Sequence, residues 1–172
     1  MALVIEDGSV VPGANSYVTV DEAKTYATLR GEPFPTDDAA IEALLVTAMD
    51  FTETYRSLFT GEKVSVTQET QYPRTCSKVD GVEFPSDAIP RELKNAQCQL
   101  AIDAYAIGDL APTTTGHAIS SEKVDVIEVS YAASSGISGN PLPATPTFPK
   151  AEAWLAPLLV GSSGSWLTVT RV

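Results

Sequence analysis

Between Gln71 and Tyr105 a proline-punctuated loop runs directly into a helix whose start is already fixed. The loop reads Gln-Tyr-Pro-Arg, then a polar stretch, then Phe84-Pro85-Ser86-Asp87-Ala88-Ile89-Pro90, and an alanine-rich run begins at Arg91. Pro90 suits the first turn of a helix, where its missing N–H costs nothing and its fixed φ is already helical. Ser86 or Asp87 is placed to cap that start. Leu93, Ala96, Leu100, Ala104 and Ile107 recur at helical spacing and make one apolar stripe, and Gly108 supplies the stop. A rigid loop joined to a pre-set helix builds a docking surface, and no residue in the segment suggests chemistry.

Two more helices precede it. Thr19 with Glu22 three residues on is a capping box; Val20, Ala23 and Ala27, with Tyr26 beside them, give the inner face, and Gly31 ends the helix. After the Pro33-Phe34-Pro35 turn, Thr36 caps a second helix, with Asp37 and Asp38 favourable at its N-terminus. Its stripe is Ile41, Leu44, Leu45, Ala48, Phe51 or Thr52, Tyr55 and Leu58, closed by Gly61. From Glu62 to Pro85 the periodicity fails, and so long a polar connection is either functional or partly disordered. Tyr72 and Phe84 bracket it and read as anchors to the core, with base stacking as the alternative.

Strand-like pattern appears in three places. The N-terminus, residues 1–7, has no basic region, meets acid at once and reads as an edge strand rather than a signal peptide. Lys123 to Tyr131 alternates, with Ile127, Val129 and Tyr131 on one face and Val124 and Val126 on the other. Residues 132–149 are rich in Ser, Gly, Pro and Thr, a linker or extended arm. A short helix at about 150–159 follows, with Pro157 as a kink. Beyond the hinge Gly161-Ser162-Ser163-Gly164, the last residues alternate as a strand that pairs either with the N-terminal strand or with another chain's sheet edge. The expected fold is mainly α with a small β component. It is a compact bundle of three main helices, with short strands at the N-terminus, at 123–131 and at the C-terminus, and extended loops or arms. At 172 residues it reads as one domain, with a helical core over 1–131 and an arm, short helix and terminal strand over 132–172.

Charge narrows function. Twenty-two acids against eleven bases give a net charge of −11, a poor balance for a protein that gains affinity by neutralising phosphates. Arg74 with Lys78, and Arg91 with Lys94, are the thinly spread candidates for a local basic patch. Cys76 and Cys98, with no secretion signal, read as reduced, packed thiols. His117 has no Cys or His at ligand spacing, so no metal site is expected. No apolar run is long enough to span a bilayer. Ser120 to Lys123 matches a Ser-x-x-Lys spacing but lies before a strand and lacks the accompanying motifs. There is no phosphate loop, dinucleotide fingerprint or nucleophile elbow. No catalytic residue, cofactor or enzyme activity is expected.

Several short pieces, in order, resemble one family: Ile5-Glu6-Asp7-Gly8, Ala14-Asn15-Ser16-Tyr17-Val18, residues 39–55, Tyr72-Pro73-Arg74, Ile89-Pro90 with Leu93-Lys94 and Ala96, Ser121-Glu122-Lys123-Val124, and Ile127-Glu128-Val129-Ser130-Tyr131. The family is that of tailed-phage and prophage proteins labelled DnaT-like single-stranded-DNA-binding proteins, in which Trp-Pro-Arg is common where this chain has Tyr72-Pro73-Arg74. By helix arrangement these are similar to phage head–tail connectors, also called adaptor or head-completion proteins. That resemblance implies a structural virion protein forming a ring, typically of twelve subunits, beneath the portal. Its partners would be the portal, a tail or stopper/tail-terminator protein and copies of itself, with DNA passing through the lumen without specific binding. Its place would be the neck of the virion, reached from the host cytoplasm, with no membrane partner. The terminal arm supplies the expected portal and subunit contacts, Trp166, Leu167, Val169 and Arg171, the Trp and Arg being the residue types favoured at interface hot spots. The alternative reading is a single-stranded-DNA-binding protein of phage replication.

Overall fold

The computed structural model describes residues 2–110 and 147–160 and, as backbone, the strands at 121–124 and 127–130. The chain divides into two compact units, Met1–Leu110 with Phe148–Val172, and Ala111–Thr147. The expected boundary at residue 131 and the terminal strand, with Trp166, Leu167, Val169 and Arg171, lie outside the described residues. Four α-helices lie among the described residues, joined by short antiparallel strand pairs, so the mainly helical expectation holds.

In the first unit, α1 is Val20–Arg30, α2 Asp38–Glu53, α3 Arg91–Ile107 and α4 Pro149–Leu155. The α1 capping box forms as its sequence requires: Thr19 Oγ1 accepts from the Glu22 N–H, and Glu22 Oε2 accepts from the Thr19 N–H at 2.7 Å. Gly31 closes α1 in the left-handed conformation, φ 65°. For α2 the cap is Asp37, not Thr36: its carboxylate accepts from the Ala40 N–H at 3.0 Å. Neither Ser86 nor Asp87 caps α3. Pro90 itself is the cap residue, extended at ψ 138°, and its carbonyl accepts from both Leu93 and Lys94.

The second helix stops at Glu53, short of the apolar pattern that continues to Leu58. The Thr52 hydroxyl donates to Ala48 O and the Thr54 hydroxyl to Phe51 O. The N–H groups of Thr54, Tyr55 and Arg56 then take carbonyls three residues back, so the helix tightens and unwinds. Tyr55 and Leu58 therefore lie in turns, and Gly61 closes no helix.

α3 is the centre of this unit, packed against α1, α2 and α4. Its Leu100, Ala101 and Ala104 meet Ala23 and Ala27 of α1, Ile41, Leu45 and Ala48 of α2, and Ala151 of α4 in one buried cluster. Burial of each leucine or isoleucine there contributes about 1.5–3 kcal/mol. Leu93 and Ala96 serve a second cluster with Tyr17, Met49, Phe59, Tyr72, Leu155 and Leu158. Ile107, expected on the stripe, is exposed at 55%, although Ala104 before it and Leu110 after it are buried.

The N-terminus is no strand. A single parallel bridge joins Ile5 to Ser16, and the chain between them is held from inside by Glu6, whose buried carboxylate accepts from the Gly8, Val10 and Val11 N–H groups at 2.9–3.0 Å. Gly8 has φ 111°, and a Cβ there would lie 2.2 Å from Asp87 O, so this turn abuts the loop that leads into α3.

The polar connection is ordered. β1 (Glu62–Lys63) pairs with β2 (Arg74–Thr75), and β3 (Lys78–Val79) with β4 (Val82–Glu83), all antiparallel. Near the C-terminal end the helix expected at 150–159 is α4 followed by a 3-10 turn, Ala156–Leu158, because Pro157 cannot continue an α-helix. Leu159 then bridges antiparallel to Phe59. In the second unit the strand expected over 123–131 is instead a hairpin. β5 (Ser121–Val124) pairs antiparallel with β6 (Ile127–Ser130) in the register Ser121 to Ser130 and Val124 to Ile127. Alternation alone does not separate one strand from two that fold back.

Candidate functional site

Two of the resemblance motifs, Ala14–Val18 and Tyr72-Pro73-Arg74, meet at one place in the first unit, and their work there is structural. Tyr72 and Arg74 of the Tyr-Pro-Arg segment are buried, at 0% and 7% exposure. Tyr72 packs edge-on to Phe59, with ring centroids 5.8 Å apart. The Arg74 guanidinium donates five hydrogen bonds: to the carbonyls of Thr60 (2.8 Å), Gly61 (2.6 Å), Phe59 and Gln71, and to Gln71 Oε1. All go to neutral acceptors. The Gln71 amide in turn donates to the Glu53 carboxylate at the end of α2, so one side-chain amide links the buried cation to a carboxylate. Tyr17, from the Ala14–Val18 motif, accepts the Gln71 and Tyr72 N–H groups on its phenol oxygen at 2.9 and 3.1 Å. Its own N–H donates to Gln97 of α3, which also reaches Ser16 Oγ and Leu45 O. Phe84 is half-buried, so Tyr72 is the stronger anchor of the two aromatics.

With Arg74 inside, the expected pairing of Arg74 with Lys78 makes no patch, for Lys78 is exposed. Arg91 and Lys94 do come together, on a groove of about 430 Å³ between α1 and α3. Arg30, in the last turn of α1, completes the set. Its guanidinium carbon lies 3.5 Å from the Tyr26 ring centroid, and Leu29 beside it is 78% exposed. Arg30 escaped the sequence reading because a cation at a helix C-terminus satisfies the dipole and needs no other explanation. Acid tempers the groove: Asp21 and Glu22 line it, Lys94 pairs with Glu22 at 3.3 Å, and Arg91 pairs with Glu92 at 3.1 Å. Burial alone would raise the Glu22 carboxyl, but the Thr19 N–H and Lys94 outweigh it and hold it below its ordinary value.

Elsewhere Lys24 pairs with Asp38, Lys150 with Glu32 at 2.6 Å, and Lys63 donates to Gln68 O. The ionisable groups with the largest shifts are core residues. Burial pushes the Cys98 thiol up to about 12 and the Tyr17 phenol well above its usual range, so both stay protonated. Cys76 and Cys98 are both free thiols; Cys98 is packed, but Cys76 is exposed at a positive φ of 54°. Among the described residues no group of three or more His, Cys, Asp or Glu side chains could hold a metal ion, and no helix is long and apolar enough to cross a membrane. His117 lies outside the described residues.

The first unit is thus a helical body with buried motif residues and a modest, acid-tempered cationic groove. The family model described as "Putative DnaT-like ssDNA binding protein" matches residues 1–172, and the chain belongs to that family. The description agrees with the alternative reading drawn from the sequence, single-stranded-DNA binding, and carries no connector identity; the family is not a known enzyme class. Among curated proteins and among solved structures nothing matches the chain significantly.

Proposed function

We propose that this chain is a non-catalytic structural protein of the tailed-phage virion, a head–tail connector that assembles with copies of itself beneath a portal ring. The disposition of charge carries the reading. Eleven cations stand against twenty-two acids, and Arg74, with five hydrogen bonds, is spent mainly on backbone carbonyls. Lys24, Arg91, Lys94 and Lys150 each face a carboxylate. A surface of this kind repels phosphate along most of its extent, which suits a protein beside which DNA must slide. The terminal residues Trp166, Leu167, Val169 and Arg171 remain the proposed portal contacts. Native mass spectrometry of the chain with its cognate portal tests this: the expected complex carries about one copy per portal subunit, and no association rejects the reading.

The second reading, single-stranded-DNA binding, is favoured by the family description and by the groove where Arg30, Arg91 and Lys94 surround Tyr26 and Leu29. If three phosphates are neutralised there, log K falls against log[salt] with a slope of about −2. Replacing the three cations by alanine then removes most of that slope. Absence of salt-dependent binding to a single strand rejects this reading and leaves the first intact.

A further inference from the structure

We propose that successive copies of this chain join head to tail, the C-terminal end of α2 in one copy seating in a groove along the N-terminal half of α2 in the next. The inference rests on the connector reading and names its subunit contact. The groove, about 240 Å³, is apolar apart from Glu42; Leu3 walls one side, and Ala39, Ala43 and Val46 of α2 form its floor. Ala39 and Ala43 are exposed, and Glu42 makes no ion pair among the described residues.

At the other end of the helix the chain presents the complement. α2 has 16 residues, so its ends are about 24 Å apart. Arg56 lies one turn beyond Glu53, exposed, and it too makes no ion pair among the described residues. The loop carrying Val66 is tied to the same end through the Gln71 to Glu53 hydrogen bond. Val66 is 100% exposed, and its loop is held stiff. Ser65 Oγ meets Thr67 Oγ1 at 2.9 Å, Lys63 Nζ donates to Gln68 O, and the Gln68 amide donates to Thr70 O and Pro73 O. A bare valine on a loop tied to the C-terminal end of α2, with Arg56 exposed at that same end, complements an apolar groove carrying Glu42 in both hydrophobicity and charge. Little entropy is lost in docking a loop already ordered. Knob and groove occupy opposite ends of one rigid helix, so the contact is heterologous; it closes into a ring when the rotation per step permits.

A charge swap tests it on the full chain under reducing conditions, by sedimentation velocity alone and by native mass spectrometry on the portal ring. Glu42→Arg and Arg56→Glu are surface changes, and circular dichroism checks that each folds. Each variant alone is expected to self-associate at least about tenfold more weakly than the parent. Mixed in equal amounts, the two restore association, because every unlike neighbour then offers opposite charges. Val66→Asp weakens association without rescue by either. If the variants assemble like the parent, or the mixture fails to recover what the single variants lose, the contact is wrong. Full portal occupancy in either case leaves the connector reading standing. A parent chain that stays monomeric both free and with portal overturns both.

Discussion

The three long helices bury mostly alanine, leucine and isoleucine against one another, whereas the segment from Phe59 to Ser77 buries two glutamines, a threonine, a serine and an arginine. Both are well-excluded interiors in the same unit, and they hold by different physics. Apolar packing is non-directional and loses free energy roughly in proportion to the atoms removed. The loop is a network in which each donor serves one acceptor, so removing one member leaves several others desolvated and unmet. The loop already leaves Tyr72 OH, Ser77 Oγ, Gln68 Oε1 and one Glu53 oxygen without a hydrogen-bond partner, so it has little slack.

The contrast is tested most severely by Arg74→Met, which strands the carbonyls of Phe59, Thr60, Gly61 and Gln71. The expected loss is about 4 kcal/mol in urea unfolding. Arg74→Lys should recover less than half, because an ammonium cannot reproduce the planar fork. In the apolar interior Leu100→Ala should cost about 3 kcal/mol, yet Leu100→Met less than about 1.5 kcal/mol. If Lys rescued Arg74 as fully as Met rescues Leu100, the distinction between the two interiors would fail. A smaller effect is expected at the surface: Thr19→Ala removes the α1 capping box for about 1 kcal/mol, read as a shift in the same unfolding curve. The last effect is silent at neutral pH. Cys98 ionises near 9 when unfolded and only at about 12 when folded, and Tyr17 is shifted in the same direction. The unfolded chain therefore releases these protons first, and stability falls as pH rises through 9 towards 12. Cys98→Ala should flatten the first part of that decline in alkaline unfolding curves.

The helices were legible because their information is local. Thr19 with Glu22, Gly31 and Gly108 act within a turn, and the stripe of α3 repeats at a fixed period. The misses have two causes, one local and one long-range. α2 ends at Glu53 although Tyr55 and Leu58 keep the period, because threonine hydroxyls redirect carbonyls there. The order of the polar loop depends on Tyr17, 54 residues from Gln71 in sequence, and on Gln97, 80 residues from Tyr17. No window of sequence contains such pairs. The cationic groove was half legible: Arg91 and Lys94 are neighbours on one helix, but Arg30 joins them only through the packing of α1 on α3.

Leu110 and Phe148, which bracket residues 111–147, are both buried in the α1–α2–α3 cluster. The chain thus leaves the helical body and returns to it at two nailed-down points of one core. Closing a loop between fixed ends costs only about 0.6 kcal/mol more for each doubling of its length. The body is therefore a socket: closure entropy alone sets little limit on the length of segment that can join Leu110 to Phe148. Lineages could diversify what they present to a partner there while inheriting the same folded base, and an engineer could use the same junction to display a peptide of choice.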